Sequence, residues 1–184
     1  MSLNVLEILN SRRTIRNFDP NVEITKEQLE AILKAAQNSP TAKDLQGIDF
    51  IVLRNKEKLA EIEKIILADA SPEMKNNFEE RRKIHGVQNV ITCDAPLIIL
   101  LTRNERKEKF TDVDAGLAAM SIIMVARHFG LETMCLGRIT RFPKVEELLG
   151  IKKGELILGV AVGKIKGEPI LKEKVIKSKV NYID

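Results

Sequence analysis

The chain has no tryptophan, one tyrosine (Tyr182), two cysteines and two histidines in 184 residues, and each scarcity excludes something. Cys93 and Cys135 lie far apart, with no CxxC spacing and no Cys/His pair beside them, so neither a zinc site nor a disulfide framework has support, and a reducing cytoplasm fits best. With only His85 and His128 available, no Ser/His/Asp set can be assembled, and HExxH and GxSxG are missing too. His85 lies among charged residues and His128 near a helix end, positions typical of structural or surface histidines. Neither GxGxxG nor GxxxxGK[ST] occurs, so a dinucleotide fold of the usual kind and a P-loop both lack their fingerprint. Long apolar runs are absent as well. The longest stretch without charge, Ala115 to Ala126, is too short to span a bilayer and contains Gly116 and Ser121. No basic-then-apolar leader opens the chain, and the expectation is no membrane segment.

Apolar residues make up 44% of the chain and charged residues 30%, the balance of a soluble globular protein. The length suits one domain over residues 1–184, and no repeat, low-complexity tract or Gly/Ser linker divides it. Net charge is only +4 because acids are scattered among the bases, so a pI near 9.0 makes a weak case for nucleic acid. The excess is local. It collects at Arg12, Arg13 and Arg16, and again at Lys164, Lys166, Lys172, Lys174, Lys177 and Lys179.

Apolar spacing predicts a first helix through Val5, Leu6, Ile8 and Leu9 that stops at the arginines. Thr25-Lys-Glu-Gln28 is a capping box for a second helix, carrying Leu29, Ile32, Leu33 and Ala36 and ending near Asn38-Ser39, ahead of Pro40. Phe50 to Leu53 reads as a buried strand, Leu59 to Ile66 as a helix, and Ser71-Pro72 as the start of an exposed or lid-like helix. Strands are expected at Pro96 to Leu101, Thr133 to Leu136 and Leu156 to Val162, with a short helix from Pro143 to Leu149. The helix in "DVDAGLAAMSIIMVARHFG" is apolar enough to expect burial on most sides, with Gly130 closing it. Helices and strands mix without a regular βαβ alternation, which favours an α+β architecture. Gly159 and Gly163 bracket the last strand and carry no motif.

Two polar clusters stand out. "SRRTIRNF" places guanidinium groups and a hydroxyl where a helix meets a loop, which suits forked hydrogen bonds to a phosphate, although solvated basic turns have the same composition. "SPTAKDLQG" offers Ser39, Thr41, Lys43, Asp44 and Gln46, a density of hydrogen-bonding groups that suits a heteroaromatic ring or ribityl chain, or an ordinary polar connection.

In order, "SRRTIRNF", "SPTAKDLQGIDFIVL", "APLIILL", "DVDAGLAAMSIIMVARHFGLETMCLG" and "LILGVAVGKIKGEP" resemble the nitroreductase family of FMN-dependent oxidoreductases, from about residue 5 to residue 170. The resemblance implies an α+β fold with a central, mostly antiparallel sheet flanked by helices, in an intertwined homodimer. It implies that Arg12, Arg13, Thr14 and Arg16 grip FMN, with Arg12 and Thr14 near phosphate and ribityl oxygens. Arg16 would lie at the flavin N1/O2 edge, where a fixed cation favours the reduced anion. Pro40, Thr41, Ala42, Lys43 and Gln46 match a second motif that reaches the partner subunit's flavin. Here Asp44 stands where the family has Asn and Gly47 where it has Pro, which removes amide donors and adds charge beside the ring. Cys135, Leu136 and Gly137 match a strand and turn whose amides point towards N5 and O4, Cys135 being read as a packing residue. Arg138 adds a contact, and Lys172 and Lys174 are spaced as the family's C-terminal phosphate ligands. Phe78 and its neighbours take the place of the family's active-site aromatics as a cover.

The activity implied is hydride transfer from NADH or NADPH through flavin N5 to a small-molecule acceptor, such as a nitroaromatic or quinone, by a ping-pong route. No protein group is expected to act as a catalytic acid or base, and no metal is expected. The tail from about 164 to 184 would extend over the partner, and neither nucleic acid nor membrane would be bound. Two readings stay beside this one. One is a relative using FMN for reductive dehalogenation or flavin metabolism; the other is a non-enzymatic basic protein that contacts nucleic acid.

Overall fold

The computed structural model describes residues 4–171 and 173–183. In chain order the elements are α1 (Val5–Ser11), α2 (Lys26–Gln37), β1 (Ile48–Leu53), α3 (Lys56–Asp69), α4 (Pro72–His85), β2 (Leu97–Arg103), α5 (Thr111–His128), β3 (Glu132–Cys135), α6 (Pro143–Leu148) and β4 (Leu156–Gly163). Two short 3-10 turns, Ala42–Asp44 and Gly137–Arg141, follow α2 and β3.

The strands form one sheet in the order β1-β2-β4-β3, with every pairing antiparallel. The unbroken apolar stretch of β2 has a simple cause. Ile98 and Leu100 point into a core shared with α3, α4 and α6, while Leu97, Ile99 and Leu101 point into a second core shared with α2 and α5. A strand covered on both faces reads as continuous hydrophobicity, because period-two alternation has no solvent side to show. β1 is an edge strand instead, and Val52 stays 37% exposed, so the buried strand expected from Phe50 to Leu53 is buried only in part.

The helix starts follow their caps. Thr25 and Gln28 make the reciprocal capping box at α2, and the Ser71 hydroxyl accepts from Met74 N with Pro72 in the first turn of α4. Asn4 and Glu7 form a second capping box at α1, whose C-cap is Arg12. The arginines do begin where the first helix stops.

α5 departs from the sequence-based expectation. Ala115, Ala118, Ala119, Ile122 and Ala126 are buried, and the alanines let α2 approach closely, yet Val113 is 61% exposed and Leu117 43%. Val5 and Leu6 of α1 are also exposed. An apolar helix is buried all round only if something lies on each side, and within one protomer nothing among the described residues covers this stripe.

Gly163 matters more than its lack of a motif suggests. A Cβ there would sit 2.8 Å from Pro96 Cδ and 3.0 Å from Phe18 Cδ1. Phe18 is fully buried, and its amide donates to the Cys93 carbonyl at 3.0 Å. The close approach of β4 thus seats the segment that carries the arginines.

Candidate functional site

Residues 12–18 run along the free side of β3. Thr14 and Thr133 form a parallel bridge, and Ile15 N donates to the Thr133 carbonyl at 3.2 Å, so this segment covers an edge that would otherwise expose unpaired amides. Ile15 and Phe18 are buried, and Asn17 is 7% exposed, with its Nδ2 donating to the Lys166 carbonyl at 2.8 Å. Arg12 and Arg16 remain partly exposed, as does Thr14.

The three arginines separate. Arg13 turns back on the chain, its Nη1 donating to the carbonyls of Asn10 and Arg12 at 2.9 Å each, and so closes the end of α1. Arg12 acts on Arg127 and on Cys135. Burial lowers the proton affinity of the Arg127 guanidinium, with Arg12 adding to the effect, although Arg127 pairs with Glu132. Arg16 faces α4: its charge acts on Arg81, His85 and Cys93.

Arg16 opens onto a pocket of about 100 Å³ with Phe78, Arg81 and Cys135 to Ile139. Cys135, Leu136, Gly137 and Arg138, expected at the site from the sequence, are therefore brought to Arg16. The turn offers fewer free amides than expected, because Leu136 N already donates to the Gly159 carbonyl at 2.7 Å. Phe78, 1% exposed, closes the inner side, and the Arg81 and Arg138 guanidiniums each lie 5.6 Å from its ring centroid. Nothing in the sequence singles out Arg81, which is one base in "EERRKI"; only the packing of α4 turns it inward. Burial, then Arg16 and Arg138, lower its proton affinity. The His85 imidazole is lowered by burial and by Arg16 and Arg81.

Cys93 lies beneath these guanidiniums, fully buried in left-handed backbone at φ 54°. Burial pushes its thiol up to about 11 against the pull of Arg81 and Arg16. Cys135 is exposed, yet packing around its sulfur raises the thiol, with Arg12 opposing.

The second cluster lies elsewhere. Thr41 and Gln46 line a groove of about 790 Å³ between α2 and β1, which shares no residue with the pocket at Arg16. Lys43, Asp44 and Gln46 all have positive φ, at 53°, 54° and 51°, and such a run in non-glycine residues needs outside support. Ala42 N donates to both carboxylate oxygens of buried Asp114, Lys43 pairs with Glu108 at 3.0 Å, and Asn104 and Arg106 donate to the Gln46 carbonyl. Asp44 is turned to its own loop and accepts from Gln46 Nε2 at 3.0 Å. Gly47 has a steric cause: a Cβ there would sit 3.1 Å from the Arg106 carbonyl oxygen. Pro40 is exposed at the start of this loop.

At the C-terminus, Lys174 Nζ donates to the Leu9 carbonyl at 3.4 Å, so one of the two tail lysines reaches the helix that leads into the arginines. Lys172 lies outside the described residues. Among the described residues, no helix is long and apolar enough to cross a membrane.

Residues 9–164 match the Nitroreductase family. The chain belongs to that family. Its relatives include the CLA biosynthesis enone reductase of Lactiplantibacillus plantarum, 23% identical over 91% of this chain and 88% of that one. They also include a putative NAD(P)H nitroreductase, YdgI, of Bacillus subtilis (strain 168), 26% identical over 89% of each. Among solved structures, a nitroreductase with bound FMN from Desulfitobacterium hafniense DCB-2 superposes with a TM-score of 0.81 over 100% of both chains, at 21% identity. The α+β nitroreductase fold expected from the ordered motifs is the fold observed.

Proposed function

We propose that this nitroreductase-family chain is an FMN-dependent oxidoreductase that passes hydride equivalents from NADH or NADPH to a small-molecule acceptor such as a nitroaromatic or quinone. One observation carries the reading: guanidiniums gather at the turn after β3, against a pocket whose lining contains no carboxylate. Such a donor set fits a ligand that is anionic at one end and develops negative charge on a ring at the other. The names of the Bacillus subtilis relative and of the FMN-bound structure lend support.

When bound, FMN would supply the two-electron chemistry at N5, and donor and acceptor would occupy one place in turn. Arg12, Thr14 and Lys174 would hold the phosphate end, with Lys172 as a second tail ligand. Arg16 would hold the pyrimidine edge and stabilise the charge that reduction places there. Residues 135–137 would present backbone to the ring, with Arg138 beside them. Phe78 would exclude water from the inner side.

The pocket at Arg16, about 100 Å³, is smaller than the roughly 300–1,000 Å³ usual for small-molecule sites, so one protomer supplies one wall. A second copy would supply the other, through Pro40, Thr41, Ala42, Lys43, Asp44 and Gln46. The exposed stripe of Val113 and Leu117 suits such a homodimer, as does the tail, where Val175, Ile176, Val180 and Tyr182 are exposed. In this arrangement the tail crosses to the partner, and residues 1–184 act as one domain.

The absorption spectrum of the freshly purified protein tests the cofactor: a bound-flavin spectrum is expected, with turnover of nitrofurazone by NADH or NADPH. Colourless protein that takes up no added FMN would overturn the reading. Sedimentation equilibrium tests the shared site, since a monomer that binds FMN tightly would contradict it.

A further inference from the structure

Three partly buried arginines of this protein are paired with carboxylates. Arg82 pairs with Glu63 and Glu79, Arg103 with Asp112, and Arg127 with Glu132. Around the pocket at Arg16 there is no such pairing: partly buried Arg16 and Arg81 and exposed Arg138 line it together without a carboxylate. With Arg16 allotted to the flavin, a premise taken from the proposed function, two guanidiniums are left over. Both stand 5.6 Å from the centroid of the same buried ring, Phe78. Phe78 and Arg81 are three positions apart on one face of α4, and Arg138 arrives from the turn after β3, so two elements converge on one spot. Arg81 is also held in place, its Nη1 donating to the Val90 carbonyl at 2.8 Å.

Three like charges brought together raise one another's free energy, and an oxyanion between them reverses that cost. The lowered proton affinity of Arg81 has this origin in part, after burial. Phosphate is already provided for at Arg12 and Lys174, and the remaining pocket is lined by Ile66, Ile91, Met134 and Ile139, an apolar wall suited to a carbon frame.

We propose that Arg81 and Arg138 bind the carboxylate of the electron acceptor, so that the substrates favoured by this protein are organic acids carrying their reducible group near the carboxylate. Planar guanidinium forks match carboxylate oxygens in pairs, while the Phe78 platform and the isoleucines receive the rest of the molecule. A neutral acceptor of the same shape leaves the two charges unmatched and binds less well.

The test compares 4-nitrobenzoate with its neutral methyl ester. For either, one hydride from the nicotinamide and one proton from solvent break an N–O bond and convert the nitro group to nitroso and water: ArNO2 + NAD(P)H + H+ gives ArNO + NAD(P)+ + H2O. With FMN-loaded protein, Arg81→Gln and Arg138→Gln are each expected to lower kcat/KM for 4-nitrobenzoate about tenfold, the usual effect of losing one charge-assisted hydrogen bond, and to leave the methyl ester unchanged. Titration calorimetry with benzoate, which carries no nitro group to reduce, reads binding alone, and its affinity is expected to fall by a similar factor in both variants. Arg81→Lys, which keeps the charge and loses the fork, is expected to fall between.

Equal losses for acid and ester, or an unchanged benzoate affinity, would overturn the proposal. A fall in FMN affinity with acid-over-ester preference intact would overturn it too, and would assign the two arginines to the cofactor. Protein that takes up no FMN would overturn the flavin reading itself. Calorimetry on that same protein still decides the anion site, since benzoate binding lost in Arg81→Gln supports it and no binding by the wild type overturns it.

Discussion

Both carboxylate oxygens of Asp114, on α5, accept the amide of Ala42 at 3.2 Å, so the first turn of the most apolar helix holds the start of a strained loop. Asp114 is 5% exposed, and three of the next four residues after Ala42 have positive φ. Asp114→Ala should cost about 1.5–3 kcal/mol, the range for a hydrogen bond to a charged group. Urea denaturation measures the loss, and hydrogen exchange at Ala42 should accelerate with it. A stable variant with a slow Ala42 amide would show that the loop keeps its shape without this contact.

Arg12→Ala should weaken FMN binding roughly 10- to 150-fold, corresponding to about 1.5–3 kcal/mol for a charge-assisted contact. Arg13→Ala, whose parent guanidinium is turned onto the Asn10 and Arg12 carbonyls, should weaken it far less. Quenching of flavin fluorescence on titration reads both. Equal effects from the two substitutions would mean that Arg13 leaves the helix end to meet the cofactor.

Cys93 makes stability depend on alkaline pH. Its folded-state pKa is raised from 9.0 to about 11, so the thiol keeps its proton in the folded protein while the unfolded chain ionises. Its contribution is whole below pH 9.0 and declines between pH 9.0 and about 11. At about 1.4 kcal/mol per pKa unit, the rise from 9.0 to about 11 amounts to about 3 kcal/mol at most. Cys93→Ala should flatten that part of the profile, read as the difference between wild-type and variant urea midpoints at about pH 8.5 and about pH 10.5, on either side of the unfolded-state ionisation. Parallel profiles would remove Cys93 as the cause.

Gly163→Ala should destabilise by about 1–3 kcal/mol, because the added methyl meets Pro96 and Phe18 at or inside 3.0 Å in a packed interior. Thermal unfolding measures it. Since Phe18 anchors the arginine segment, FMN affinity should fall as well, and a variant with lowered Tm and full affinity would uncouple the two.

The local vocabulary of the fold is legible residue by residue. Thr25-Gln28 and Ser71-Pro72 mark helix starts because their side chains satisfy amides only a few positions away. The run from Leu97 to Leu101 marks a strand because every position is apolar, although which side chain enters which core depends on α3 and α5 being on opposite faces. Ordered motifs are enough to indicate the nitroreductase fold, and they name Arg16, Cys135, Leu136, Gly137 and Arg138, which do meet. Arg81 is hidden because nothing in "EERRKI" distinguishes an inward base from a solvated one. The outward stripe of α5 is hidden for a related reason, since an apolar residue reads the same whether it faces the chain's own core or is left for another surface.

Short-range spacing therefore determined most elements and their caps, because these rest on interactions within a few residues, while the family came from the resemblance of motifs in order along the chain. Tertiary structure alone decided which charges share a pocket. Arg16, Arg81 and Arg138 belong to three separate segments, and only the seating of residues 12–18 on β3, with α4 packed over the turn at Gly137, brings them together without a carboxylate among them.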